Sequence, residues 1–326
     1  MTFPTNTSRL WGNGPMVSLI SKRIWQSLLL LFLASVLCFS LVISAPGNVA
    51  ILIAELRSPI VSKEDIAKVA EEIGLNKPLP LRYVGWLGDA IQGDFGISYK
   101  TGEDVGESLE KRLSITATLI AGGAAFALMG SLFLGFVGAL FAHRTPDYLA
   151  RGAALISAST PSFFVGALLV YAFSVALRIF PTFGYGGPIS WVLPWTTIGL
   201  LPAAVLSRVV RVGLEEAMAR PYVLTAMSKG LTRSQILLRD ALPNIIPTYL
   251  SALGTQVGVM VVGAVVIEPM FAWQGVGELF LTGVRFRDFM VVQACLLIFI
   301  TFFILVNLTV DIGMMLTDPK LRRQRS

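Results

Sequence analysis

The chain alternates long apolar runs with short, polar, sharply punctuated segments. A bilayer crossing needs about 20 mostly apolar residues. Six stretches qualify: 24–43, 115–141, 152–177, 191–210, 247–267 and 289–310. Pro194 and Pro202 interrupt the fourth, and a membrane helix tolerates proline where neighbours or water take up the freed carbonyls. Between the first two spans, continuous apolarity gives way to helical periodicity. Ser62-Lys63-Glu64-Asp65 predicts a capped start, with Ser62 as N-cap and Asp65 at the third helical position. Ile66, Val69, Ala70 and Ile73 follow at helical spacing, and Gly74 suits the stop. After Pro78 and Pro80 comes a second apolar-faced stretch with Leu81, Val84, Trp86, Leu87, Ala90 and Ile91. The pattern predicts an all-α integral membrane protein with six transmembrane helices and a small helical cap at 62–91.

Composition agrees. Charged residues are 14% of the chain and hydrophobic residues 54%, against about 25% charged in soluble domains. The net charge of +6 matters less than its distribution, because basic loops are retained in the cytoplasm. Arg9, Lys22 and Arg23 precede the first span, Arg144 and Arg151 follow the second, and Lys320, Arg322, Arg323 and Arg325 close the chain. Arg211, Arg220, Lys229, Arg233 and Arg239 outnumber Glu215, Glu216 and Asp240 after the fourth span. These four segments alternate correctly to share the cytoplasmic side, with both termini there. Residues 46–112 hold eight basic and eleven acidic residues, and 180–190 hold none, as the far side requires. Lys22-Arg23 before the first span and Ser44-Ala45 after it would also suit a signal peptide. A cleavable core runs about 7–15 residues, so a retained span is expected.

Catalytic and metal chemistry has little to work with. Cys38 and Cys295 each sit inside an apolar run and read as packing. His143 is the single histidine, and no phosphate loop, zinc-protease or nucleophile-elbow pattern occurs. Glu268 and Asp311 are the ionisable residues nearest to span interiors. Both read as end-of-helix carboxylates rather than a proton relay. A path across the membrane, with energy supplied by another chain, fits better than a self-contained secondary transporter or channel. Such proteins usually carry intramembrane ionisable residues or a repeat.

The segment 221–243 is the most structured of the polar ones. Pro221 suits a helix start, 222–229 makes two turns, and Gly230 suits the stop. Thr232-Arg233-Ser234-Gln235 reads as a capping box opening a second helix toward Leu242, with Pro243 and Pro247 breaking or kinking the chain as the fifth span begins. Tyr222 and Ala226 share one face, and Val223 and Met227 another. So short a helix with exposed apolar side chains either fills a partner's groove or lies on the lipid headgroups.

This stretch resembles the permease subunits of binding-protein-dependent ABC importers, in the B-type branch of the dipeptide/oligopeptide/nickel group. That superfamily carries E-A-A-x-x-x-G, nine residues, then I-x-L-P. Here Ala226, Gly230, Leu242 and Pro243 match, while Leu224 replaces Glu and Asp240 replaces Ile. Residues 222–231 follow the branch's Y-V-x-T-A-x-x-K-G-L form throughout. Further similarities lie in Gly74-Leu75-Asn76-Lys77-Pro78-Leu79-Pro80, Gly93-Asp94-Phe95-Gly96-Ile97-Ser98, Thr160-Pro161-Ser162-Phe163 and Phe180-Pro181. Ile267-Glu268 with Gly275-Val276-Gly277 is similar to a V-E-x-x-F-x-x-P-G-L-G run, with Gln274 where Pro is usual.

The resemblance implies a type I importer permease. Its parts would be a cytoplasmic tail 1–23, a first helix 24–43, a periplasmic segment 44–113, a five-helix permease domain 114–315 with coupling loop 211–246, and a tail 316–326. It implies a bacterial inner-membrane protein that is not an enzyme and binds no cofactor, with ATP and Mg held by partner ATPase subunits. The implied partners are a second, C-type permease, two ATPase subunits and a substrate-binding protein that could meet the outer cap. The implied solute is a di- or oligopeptide, or a peptide-like or metal-chelate compound. Tyr222, Val223, Thr225, Ala226, Met227, Lys229, Gly230, Leu231 and Arg233 become candidate ATPase-coupling residues, with Lys229 or Arg233 available to pair with ATPase carboxylates. Polar side chains in spans avoid lipid, so Ser159, Thr160, Thr255, Gln256 and Gln293 are candidates for the path or for helix–helix hydrogen bonds. Gly254-x-x-x-Gly258 suits a close helix contact, within the chain or at a permease dimer seam.

Overall fold

The computed structural model describes residues 14–44, 49–57, 61–72 and 74–317. Ile73, Arg9 and the basic residues from Lys320 onward lie outside them. Among the described residues the regular secondary structure is helical, apart from one isolated bridge between Ile97 and Asp104. In order come α1 (Gly14–Ser44), α2 (Val49–Arg57), α3 (Lys63–Glu72), α4 (Leu79–Ile91), α5 (Val105–Leu140), α6 (Thr145–Ser159) and α7 (Ser162–Leu169). After these follow α8 (Pro188–Met218), α9 (Tyr222–Ser228), α10 (Arg233–Ile236), α11 (Leu242–Met270), α12 (Val276–Phe286) and α13 (Phe289–Thr317). Five helical segments are long and apolar enough to cross a membrane: Ile20–Ser40, Val105–Leu140, Pro188–Met218, Arg233–Met270 and Phe289–Met315.

The expected third span is not one helix. α6 and α7, the latter widening into a π-helical turn at Val170–Ala176, meet at 109°. Pro161 cannot donate a backbone hydrogen bond, and it holds Thr160 extended (φ −105°, ψ 128°). Prolines elsewhere have the opposite outcome. Pro194 and Pro202 lie buried within an unbroken α8, which is held along its length by α5. Ahead of Pro243 the chain neither breaks nor kinks sharply. It widens into a π-helical turn, Leu237–Ala241, and continues directly into α11, where Pro247 is also accommodated.

The α5–α8 seam is the core of the fold. Gly123, Ala127, Ser131, Gly135 and Gly138 are buried along one face of α5. Spacings of four and three put such residues on one helix face, and small side chains let two backbones approach. A Cβ on Gly135 would lie 2.6 Å from Val210 Cβ and 2.8 Å from the Ser207 carbonyl oxygen. The pair Gly254/Gly258 does the same against α13: a Cβ on Gly254 would meet Val310 and one on Gly258 would meet Phe303. Their partner is therefore within the chain, which removes them from a dimer seam.

At the end of the bundle away from α9, polar clips join the elements. Glu268 is fully buried. It accepts hydrogen bonds from Thr116 Oγ1 and from the Glu278 backbone amide, so it caps α12 as an end-of-helix carboxylate. Gly275 leaves room for it, since a Cβ there would fall 2.4 Å from the carboxylate. Asp288, also buried, accepts from Ser98 Oγ (2.6 Å) and the Lys100 amide (3.3 Å), tying the 97–104 turn to the start of α13. α3 begins with the predicted reciprocal cap. Asp65 N–H donates to Ser62 Oγ (3.1 Å) and Ser62 N–H to Asp65 Oδ2 (3.0 Å). Hydrogen bonds from the Ser62 side chain and backbone hold the Asp65 carboxyl below the usual carboxylate range. α4 leans on α1 through Tyr83, Trp86 and Phe39. At the other end Arg23 of α1 pairs with Asp311 of α13 (3.2 Å).

The seam makes a stability prediction. Gly135→Ala pushes α8 away and costs about 1–3 kcal/mol. Gly130→Ala, whose Cβ would rest 3.5 Å from Ala203 Cβ, is near neutral. Melting temperatures of the detergent-purified protein check this, and equal values for the two variants contradict it.

Candidate coupling loop and candidate path

The α9 loop is built from local chemistry first. α9 ends in a complete glycine stop. Gly230 N–H bonds the Met227 carbonyl (2.9 Å), Leu231 N–H reaches the Ala226 carbonyl (3.3 Å), and Gly230 sits at φ +80°. The predicted capping box is present, with Thr232 N–H donating to Gln235 Oε1 (2.8 Å) and Gln235 N–H to Thr232 Oγ1 (3.4 Å). The two stops fold α9 back on α10.

That fold gives α9 two faces. Val223 (3% exposed) and Ala226 (8%) pack on the buried Ile236, flanked by Met218, Tyr222 and Leu231. Leu224 (70%) and Met227 (49%) point outward, as do Thr225, Ser228 and Lys229. The structure thus moves Val223 and Ala226 from an expected docking surface to the support beneath it, because Ile236 supplies the apolar partner that a seven-residue helix needs. Tyr222 is half-buried, and its hydroxyl has no hydrogen-bond partner among the described residues. Leu224, at the departure from the family's Glu, is the most exposed large apolar side chain of the helix.

The loop is anchored to the seam. Arg233 Nη2 donates to the carbonyl of Ala139 (2.9 Å), an unpaired acceptor in the last turn of α5. This contact anchors Arg233 within the chain, and Arg233 stays exposed, as Lys229 does. One layer deeper, Arg211 of α8 forks onto the buried Asp147 of α6 through Nε and Nη2 and reaches Glu215 through Nη1 (2.9 Å). His143 Nε2 lies 3.1 Å from Glu215, and the His143 backbone amide donates to Asp147 (3.0 Å). The cluster locks the α5–α6 turn to the end of α8.

The five candidate path residues lie at the α6–α7 break, on α11 and on α13, and among the described residues no hydrogen bond joins these places. Ser159 is exposed and Thr160 half-buried at the α6–α7 break, with Thr160 Oγ1 donating to the Ile156 carbonyl (2.7 Å). Gln293 is buried within α13, and its Nε2 has no hydrogen-bond partner among the described residues. Its burial favours helix–helix packing, the alternative to a place on the path. Thr255 is exposed and Gln256 half-buried on α11. Thr255 belongs to a longer feature that was not picked out from the sequence. After the Pro243 turn, the exposed residues of α11 are Asn244, Thr248, Ser251, Thr255, Val259, Val262 and Val266. Steps of three and four place them on one stripe, polar toward the α9 loop and valine beyond. The i, i+3/i+4 spacing of polar side chains in an apolar span was the available signal.

Comparisons with known proteins agree with one another. The family described as binding-protein-dependent transport system inner membrane component matches residues 131–323. A second, the N-terminal region of binding-protein-dependent transport system membrane components, matches 16–120. Glutathione transport system permease proteins GsiC from Escherichia coli K12 and Shigella dysenteriae serotype 1 are 33% identical over 307 residues. These matches cover 94% of this chain and 99% of theirs. The GsiC of Shigella flexneri serotype 5b is 32% identical over the same length.

Proposed function

We propose a mechanism for this chain from the premise that it belongs to the family of binding-protein-dependent transport system inner membrane components, and so is a multi-pass permease component of an ABC importer with the type I permease fold. The α9 loop docks on a separate ATPase subunit on the cytoplasmic side, where the basic loops place it together with both termini. A C-type permease, a second ATPase subunit and a substrate-binding protein complete the assembly. ATP and Mg stay on the ATPases. The observation that carries this reading is the two-faced α9: an inner face seated on Ile236, and an outer face that offers Leu224 and Met227 to a groove with Lys229 at its edge.

The solute path runs along the polar stripe of α11 and past the α6–α7 break. Polar side chains facing lipid are costly, and irregular backbone at membrane depth is tolerated where it is covered by protein or lines water. Asn244, Thr248, Ser251 and Thr255 satisfy the first condition, with Gln256 beside them, and Thr160-Pro161, with Ser159 next to it, the second. A peptide-like solute fits hydroxyl and amide groups with no fixed charge, and the relatives named for glutathione transport support that class.

Two measurements test the reading. Gly230→Asp places a side chain at φ +80° with no atom within 4 Å, a strain of about 1–2 kcal/mol that falls on the α9 stop and not on the bundle. The variant inserts normally, while ATP-driven uptake in reconstituted vesicles falls about tenfold. Unchanged uptake overturns the coupling role. For the path, Thr255→Cys reacts with a membrane-impermeant thiol reagent in the assembled transporter, whereas Phe133→Cys, on an exposed apolar face of α5, does not. Equal reactivity rejects the stripe as the path.

A further inference from the structure

We infer a binding site for the headgroup of an anionic phospholipid in the cavity between α5, α6 and α8. This cavity, about 300 Å³, is lined by Leu134, Ala150, Arg151, Ala154, Leu155, Ser207, Arg208, Arg211 and Val212. Three arginines in one cleft between membrane helices need an explanation, since a guanidinium cannot shed its charge. Arg211 has one, in Asp147 and Glu215. Arg151 lies over the Tyr148 ring (6.0 Å) and makes no salt bridge among the described residues, acting on Asp147 one turn away only through space. Arg208 has no salt bridge among the described residues either. Against the three guanidinium charges stand two carboxylates, Asp147 and Glu215, so the cavity keeps a net positive charge among the described residues.

Depth fixes the occupant's class. Tyr185 and Trp191 stack at one end of α8, 5.5 Å apart, over the buried Trp273. Such aromatics settle at the membrane–water interface. Arg208 lies 17 residues further along α8, or about 26 Å at 1.5 Å per residue, against a hydrocarbon thickness of about 30 Å. The arginines therefore stand at the opposite interface, at the level of lipid phosphates. Around them the lining is mostly apolar, from Leu134, Ala154, Leu155 and Val212. A phosphate on an acyl chain matches both halves: the anion meets Arg151 and Arg208, and the chain runs along the apolar wall. Basic pockets between membrane helices take acidic headgroups for these reasons. This inference needs only the spans and stands apart from the coupling reading.

The test is lipid binding to the detergent-purified protein, with the subunits that accompany it, followed by native mass spectrometry. The probes are phosphatidylglycerol, phosphatidylcholine and inorganic phosphate. The expected result is retention of phosphatidylglycerol, and weakening of its binding about fivefold per arginine, roughly thirtyfold in Arg151→Gln/Arg208→Gln. Arg151→Lys/Arg208→Lys keeps the charge and most of the binding, which separates loss of the site from loss of folding. Arg285→Gln, on α12, binds as the unaltered protein does. Phosphatidylglycerol binding unaffected by the double Gln substitution overturns the site. So does equal retention of phosphatidylcholine, or displacement by inorganic phosphate at the same concentration as lipid.

Discussion

The contact between α5 and α8 is the constraint under which the other elements are placed. In lipid, helices gain little from apolar burial against each other, so they associate by close packing and by polar contacts. Gly123, Gly135 and Gly138 bring the α5 backbone against Ile198, Val210 and Arg211 with no space for a Cβ in the first two cases. α8 stays one helix through two buried prolines because this contact supports it on both sides of each. At one end of the seam the Arg211–Asp147 fork fixes α6, and Arg233 ties the α9 loop to α5. At the other end Thr116 of α5 holds Glu268, which in turn caps α12.

A joint that transmits force has to be stiff where it is held and open where it is touched. α9 satisfies both. Its inner face is seated on Ile236, its two ends are closed by a glycine stop and a capping box, and its outer residues carry no structural duty. Close-packed interiors pass displacement on rather than absorb it. In the proposed mechanism a push on α9 therefore reaches α5 through Arg233, α8 through Met218, and α11 through the π-helical turn at Leu237–Ala241.

The legible parts of the fold were those set by local chemistry. Hydropathy located the spans. The Ser62/Asp65 and Thr232/Gln235 caps and the Gly74 and Gly230 stops follow from side chains acting within a few residues of themselves, and all four are present. Tertiary contacts decided the rest. Thr160-Pro161 and Pro194 look alike in a hydropathy window, yet the chain breaks at the first and runs on as one helix through the second. The burial of Val223 and Ala226 depends on Ile236, and the partner of Gly254/Gly258 depends on where α13 lies. Of the candidate path, Thr255 was legible as a polar residue in a span, while its membership in a stripe from Asn244 to Val266 emerges once burial is known. Gln293 carried the same polar signal, yet it packs inside the chain.

Disulfide or short-linker cross-linking at the exposed face of α9 tests the central claim most directly. With a cysteine at Leu224 or Met227 in native membranes, coupling through this helix predicts a cross-linked product with an ATPase subunit, sensitive to whether nucleotide is bound. The same reaction at Thr282, at the opposite end of the bundle, yields none. Cross-linking of position 224 to lipid or to nothing, with the transporter still active, would contradict docking through α9.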